Sequence, residues 1–540
     1  MPNPPRPTPG SPADPFTATP GTVAASGQQS PPRATGPKLP PPGKVKQALA
    51  LVLVLLSFYL IWRFGGRHEG SIEWGYRILY ASPAVLGFLL LQVRRLRWAV
   101  GAILCACITI SYLDRNTMGL AVTAIRDSGD IPISDGDFAN LVSAFLFAYA
   151  LMYVGGGKLM DVLGTRRGFL LVTLFWSFAV ISHGFAGGIG ALLVSRVLLG
   201  IGEGGGFPGI TKAVAEWFPV RERSTAMGLI NGGTAIGGMV APPLAAVVLS
   251  YPFWPGSPAG GETFPWRWVF FLSGSLGFAW CIWWFWLYHP AGSHPRLSRA
   301  ERAELSEVIE PRQGAGEGEG AAIPWLQLFT YRAVWGLMLC KFLGDAVWYF
   351  IANWLPKYLI DARGYDIKGM AAFAWMPWAG AGLGCILVGY FSSWLITRGF
   401  SINAARKVAL GVSVAVMPSL FLVPYIDSNA WVIVPFIIGY FGQQAWSTLV
   451  MTLPTDLFPR KAIGSVAGLV GFGGAIGGIV FNKLGGFWLD AHPMASFSSG
   501  QRWGPIFFFA GILHIVSFIV ILVLIPRIRM LQRPAEPAAA

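Results

Sequence analysis

The chain has 540 residues, 54% apolar and only 12% charged, with a mean hydropathy of +0.54. A soluble globular protein of this length cannot hide so much apolar surface, so the composition places the chain in a bilayer. Its net charge of +14 does not point to nucleic acid, because the cations sit in short loops between apolar runs and form no single basic face.

In chain order, residues 1–46 are rich in Pro, Gly, Ser and Ala and read as a disordered tail. The first apolar run, 47–62, lies too deep for a cleaved secretory signal and is expected to persist as a helix, followed by a second at 76–92. Spans follow near 98–124, 139–157, 168–188, 190–211, 225–249 and 267–288. A polar segment over 290–330 carries Glu301, Arg302, Glu304, Glu307 and Glu310, then Gly314, Gly316, Gly318 and Gly320, the pattern of a short surface helix running into a flexible linker. Six more spans begin near 333, 370, 407, 430, 463 and 505. At roughly 20 residues per crossing, this gives about fourteen transmembrane helices.

The loops alternate in Lys and Arg content. Arg94, Arg95 and Arg97 mark one loop as cytoplasmic, whereas Asp127, Asp130, Asp135 and Asp137 mark the next as external. The alternation continues to Arg527, Arg529 and Arg533 and puts both termini in the cytoplasm. Cys105, Cys107, Cys281, Cys340 and Cys385 all fall in apolar runs and read as small core residues, with no metal or disulfide framework.

An internal repeat divides the spans. Glu216 to Pro219, Gly228, Leu229 and Ala235 to Gly238 recur, 240 residues later, as Asp456 to Pro459, Gly468, Leu469 and Ala475 to Gly478. The unit is six helices, so the predicted fold is all-α and integral to the membrane. It comprises a tail (1–46), two additional transmembrane helices (47–93), a six-helix bundle (98–290), a cytoplasmic linker (291–330), a second six-helix bundle (331–530) and a short tail (531–540). Glycines such as Gly228, Gly232, Gly233, Gly468, Gly473 and Gly474 suit close helix packing or sliding.

Charges within apolar spans are costly and ordinarily face a cavity or a partner. Asp114 and Arg115 lie deep in the first span of the repeat. Arg196 and Glu203, seven residues apart in the fourth, fall about 20° apart around the helix and about 10 Å apart along it. Arginine offers a permanent charge and a bidentate fork for a carboxylate, and a desolvated acid can exchange protons; the set suits coupled transport of an anion. Lys341 and Asp345, spaced i and i+4, fit either a simple ion pair or a binding role. Gly200, Gly202 and Gly205 match a dinucleotide spacing but follow no strand, which removes that reading. Trp348, Tyr349, Asn353 and Trp354, with Gln443, Gln444, Trp446 and Ser447, combine aromatic faces and amides that suit a sugar ring or, for the aromatics, lipid. No His, Ser or Cys constellation accompanies the acids, so no catalytic residue is assigned.

Gly157, Lys158, Leu159, Asp161, Gly164, Arg166 and Arg167 resemble the loop motif between the second and third helices of the major facilitator superfamily. The resemblance implies a cytoplasmic latch made of Asp161, Arg166, Arg167, Glu216, Arg223 and Asp456. Ser393 stands where the second half of the family ordinarily has an acid, implying a weaker second latch. Tyr112 to Arg115 with Thr117, and Arg196 to Gly204 with Phe207 and Pro208, resemble the anion:cation symporter family. Residues 345–358 and 444–447 with 456–478 resemble its hexuronate branch, apart from Ala346, where proline is expected. This implies a major facilitator fold and proton-driven symport of glucuronate, galacturonate or related sugar acids by alternating access. Arg115 would bind the carboxylate, Asp114 and Glu203 would exchange protons, and Arg196 would hold one of them in the unloaded state. Tyr112, Tyr149, Thr234, Trp348, Asn353, Gln444 and Trp446 would line the sugar site. The partners implied are a small organic anion, a proton and the bilayer of a bacterial inner membrane, with a monomeric chain, no cofactor, no metal and no nucleic acid. A carrier or exporter of another organic anion and a non-transporting sensor or scaffold are the rival readings.

Overall fold

The computed structural model describes residues 95–250, 266–309, 323–364, 375–492 and 499–531. The expected tail, the two additional N-terminal helices, the glycine-rich part of the linker and nearly all of the C-terminal tail lie outside the described residues. The helices of the first half are α1 (Leu96–Ser128), α2 (Asp135–Gly184), α3 (Ile189–Glu203), α4 (Gly206–Trp217), α5 (Arg223–Ser250) and α6 (Trp266–Leu287). The second half comprises α7 (Arg332–Arg363), α8 (Trp375–Thr397), α9 (Ile402–Ala415), α10 (Ile433–Leu457), α11 (Arg460–Ala491) and α12 (Ser499–Leu524). Two short helical segments, Arg299–Glu304 and Ser306–Ile309, lie between the halves. Nine helical segments among the described residues are long and apolar enough to cross a membrane.

Local chemistry sets the ends. Gly129 closes α1 with a φ of 68°, and Ser134 opens α2 through a capping box with Asp137. At 50 residues α2 is about 75 Å long if straight, far more than one crossing needs. Gly164, with φ 76° and ψ 159°, divides it into the two expected arms. The expected span over 190–211 is interrupted at Gly204 and Gly205: a side chain at Gly204 would collide with the α2 backbone at Tyr149 and Met152, and one at Gly156 of α2 would collide with the Gly205 backbone. Beyond α9 the chain tightens into a 3-10 segment, Met417–Tyr425, with Pro418 and Pro424 in it.

Within the first half α2 packs on α3 and α6, and α1 packs on α5; within the second, α7 packs on α11 and α12, and α8 on α10. Between halves the large contacts are α2 with α11 and α5 with α8, a pair of seams related by the sequence repeat. Glycine makes these seams possible. Gly157 lies against Gly464 and Gly468, and Gly228 lies against Cys385 and Gly389, so backbones meet with no side chain between them. On the outside, Phe147, Trp286, Leu484 and Phe487 are exposed, as a lipid-facing surface requires.

The first half is also tied to the linker. Arg97, fully buried at the start of α1, bonds Glu222 at 2.8 Å and Glu304 at 2.9 Å, and its backbone N–H and that of Leu96 donate to Glu301.

Candidate functional site

Between the halves lies a chamber with about 30 Å³ open to the centres of water molecules, enough for one or two waters and much less than a six-carbon acid requires. Its walls are Tyr112 of α1, Tyr149 and Tyr153 of α2, Phe207 of α4, Asn231 and Thr234 of α5, Lys341, Asp345, Trp348 and Tyr349 of α7, and Gln443, Gln444, Ser447 and Met451 of α10. Each half contributes polar and aromatic groups.

On the first-half side, Arg115 lies one turn after Tyr112 and its guanidinium sits 4.9 Å from that ring, 4.2 Å from Tyr149 and 5.5 Å from Phe145. It pairs with Glu203, whose carboxylate also accepts from the Ser111 hydroxyl at 3.1 Å. Glu203 is the last residue of α3, so the glycine interruption brings the acid to a helix end facing α1. Arg196, two turns earlier and buried, approaches the Phe145 ring at 6.0 Å and forms no ion pair among the described residues. The expected hold of Arg196 on Glu203 or Asp114 is not formed as an ion pair here; Arg115 pairs with Glu203. Asp114 is buried behind the chamber, facing Ser273 and Trp176 without a hydrogen bond of good geometry.

On the second-half side, the Lys341 ammonium donates to Asp345 at 2.8 Å and to Ser447 at 2.6 Å. Gln443 donates to Asp345 at 3.4 Å and is itself held by His514 of α12. The halves touch through Gln444 donating to Thr234 at 3.2 Å and Asn231 donating to Thr448 at 3.1 Å. On the far side from the latch residues, Tyr112 and Trp378 meet edge to face at 6.4 Å.

Of the expected lining residues, Tyr112, Tyr149, Thr234, Trp348 and Gln444 reach the chamber. Trp446 does not: it packs on Gly344, His514 and Phe518 inside the second half. Asn353 lies in α7 with its side chain outside the described ones. Tyr153, Asn231 and Met451 escaped sequence reasoning, although helical spacing from Tyr149, Thr234 and Ser447 puts each about one turn from a lining residue.

Three of the six expected latch residues, Asp161, Arg223 and Asp456, fall in two clusters at one end. Asp161 accepts from the Gly464 and Ser465 backbone N–H groups at 3.1 and 2.7 Å, from the Ser465 hydroxyl at 2.7 Å, and from Lys212 at 3.0 Å. Asp456 pairs with Arg406 at 2.7 Å and lies 3.7 Å from Arg223, which donates to the Thr455 carbonyl at 2.6 Å. Arg406 also donates to Ser224 and Ser392, both at 2.8 Å. Ser393 meets the Ser224 hydroxyl at 2.8 Å and accepts from the Thr225 N–H at 3.2 Å. Three expected members stay within their own half: Glu216 accepts from Thr165 and Tyr288, Arg166 donates to the Phe285 carbonyl, and Arg167 is exposed.

A sequence profile described as Major Facilitator Superfamily matches residues 104–482. A hexuronate transporter of Escherichia coli (strain K12) is 31% identical over 408 residues, covering 74% of this chain and 89% of that protein. A galacturonate transporter of Dickeya chrysanthemi is 31% identical over 342 residues, covering 62% of this chain and 94% of that protein. In structure, the proton:xylose symporter XylE is similar with a TM-score of 0.60 at 12% identity, covering 80% of this chain and 96% of that one, which supports the fold alone. These relatives are transporters and not enzymes.

Proposed function

The chain belongs to the major facilitator superfamily, and we propose that it is a proton-coupled symporter of hexuronates or closely related sugar acids, working by alternating access. The observation that carries this reading is the pair of Arg115 and Glu203 directly behind Tyr112 and Tyr149, two tyrosines of the chamber wall whose rings the Arg115 guanidinium touches. Separating a buried ion pair and leaving a charge alone costs about 3–5 kcal/mol. Arg115 is therefore released only when a solute carboxylate replaces Glu203 and a proton neutralises the acid it leaves. Loading thus requires both cargoes. Asp114, close by on α1, is the second proton site, with Arg196 as the cation that balances its carboxylate in the unloaded state.

The remaining chamber groups suit a hydroxylated ring: tyrosines and Trp348 for its apolar faces, Gln444 and Thr234 for hydroxyls. The Lys and Arg bias of the loops assigns the latch end to the cytoplasm of a bacterial cell, both termini included. The polar ties between halves run from the latch to the level of Thr234 and Gln444, and on the other side, among the described residues, only the Tyr112–Trp378 ring contact closes the chamber, which makes that side the one that opens outward to admit a solute. One chain encloses the whole chamber, which fits a monomeric carrier.

The test is uptake of labelled glucuronate into proteoliposomes. Arg115→Ala is expected to abolish uptake, and Glu203→Gln to retain exchange while losing accumulation driven by a pH gradient. Uptake unaltered by Arg115→Ala would remove the carboxylate clamp. Competition by a panel of organic anions separates a carrier of another acid, and absent counterflow would favour a sensor.

A further inference from the structure

The second half presents a polar pair that the anion clamp does not use. Lys341 and Asp345 stand one turn apart on α7, with side chains 6% and 15% exposed, and both line the chamber on the half opposite Arg115. An ammonium has three N–H donors. Two of them are spent on Asp345 and Ser447, leaving one for the chamber. The two hydrogen bonds to the Asp345 carboxylate among the described residues, from Lys341 and Gln443, both fall on Oδ1. Its Oδ2 lies against Gly474, where a Cβ would collide with it, so glycine keeps room for that oxygen. Gln443 is fixed in turn by His514.

A free donor and a free charged acceptor, held side by side by packing, match the two neighbouring hydroxyls of a vicinal diol: one accepts from Lys341, the other donates to Asp345. A lone structural ion pair has no use for the open oxygen. We propose that Lys341 and Asp345 form a hydroxyl-reading subsite for a polyhydroxy acid whose carboxylate is taken at Arg115, and that they set the preference for sugar acids over unhydroxylated anions. The inference rests on the reading of Arg115 given above.

The test is equilibrium binding to the purified full chain in nanodiscs, with two probes of equal ring size: glucuronate, and cyclohexanecarboxylate, which has no hydroxyls. The double variant Lys341→Met/Asp345→Asn removes the pair without changing net charge. Expected is a 10- to 100-fold loss of glucuronate affinity, with cyclohexanecarboxylate within about twofold, as befits loss of charge-assisted hydrogen bonds. Gly474→Ala, which crowds Oδ2 and leaves every charge in place, is expected to give the same selective loss and serves if the double variant fails to fold. Wild-type glucuronate affinity in both variants overturns the proposal, because the pair is then charge balance alone; equal loss of both probes also overturns it. Arg115→Ala separates the two readings. Loss of both probes there supports the clamp, whereas unchanged binding there with selective loss in the double variant overturns the clamp and leaves the hydroxyl subsite standing. Absence of glucuronate binding by the wild-type chain overturns both.

Discussion

Ser393 holds in the second half the place that Asp161 holds in the first, and the two grip the opposite half unequally. Asp161 takes three hydrogen bonds from Gly464 and Ser465; Ser393 makes two with Ser224 and Thr225, which are the repeat counterparts of those residues. The clamp with the carboxylate is the stronger, since hydrogen bonds to a charged group contribute about 1.5–3 kcal/mol and neutral ones about 1. Ser393→Asp is expected to make the clamps more equal and lengthen the time spent closed at this end, because Arg406, bonded to Ser224 and Ser392, stands ready to neutralise the new acid. Asp161→Asn is expected to do the reverse. Spin-label distances across this end should shift toward the closed population in the first variant and the open one in the second, by about tenfold or more.

The glycine seams predict steric locks. A methyl group at Gly157 would meet the Gly464 carbonyl, and one at Gly228 would meet that of Cys385, both of them backbone atoms that cannot swing aside. Gly157→Ala and Gly228→Ala should each hold the seam apart, cutting transport at least tenfold while leaving thermal stability nearly unchanged. A larger loss of stability than of transport would mean that the seams serve packing within each half.

Arg97 predicts a stability effect remote from the chamber. Removing it leaves Glu222, Glu301 and Glu304 clustered without the buried cation, and breaking a buried pair of this kind costs about 3–5 kcal/mol. Arg97→Ala should lower the melting temperature of the purified protein markedly. Ligand affinity in the molecules that remain folded should stay close to wild type.

Outside the spans, the hydrogen bond from Arg267, helped by one from Trp266, holds the Asp130 carboxyl below its ordinary range. A depressed carboxyl contributes stability that is full above its unfolded value of roughly 4 and fades as pH falls through the lower folded value. The melting temperature of wild type should therefore exceed that of Asp130→Asn at pH 6, and the gap should close toward pH 3. The pair is about two-fifths exposed, so the gap should also shrink in high salt.

The repeat was legible because close backbone approach demands glycine at matching places in both halves, so Gly228 and Gly468 announce the two seams without any structure. The division of α2 was legible for a similar reason: a glycine sits at the only point where its dihedral angles leave the helical range. Rotation about the helix axes was not. α10 is apolar on nearly every side, so nothing local says that Gln443, Gln444 and Ser447 face the chamber while Trp446, between them, faces α12. Partner choice was equally hidden. Arg115 and Arg196 both stand within reach of Glu203 by sequence, and only the packing of α1 against the end of α3 gives the acid to Arg115. The same holds for Glu216, the repeat counterpart of Asp456, which Tyr288 and Thr165 draw back into its own half.

Around the chamber, Arg115, Arg196 and Lys341 stand against Glu203, Asp114 and Asp345, three cations to three acids. With all six ionised, an empty carrier drags no net fixed charge through the electric field as it swings back. Its return step would then be indifferent to voltage, and any current recorded during uptake would measure how many more protons than anion charges travel with each solute.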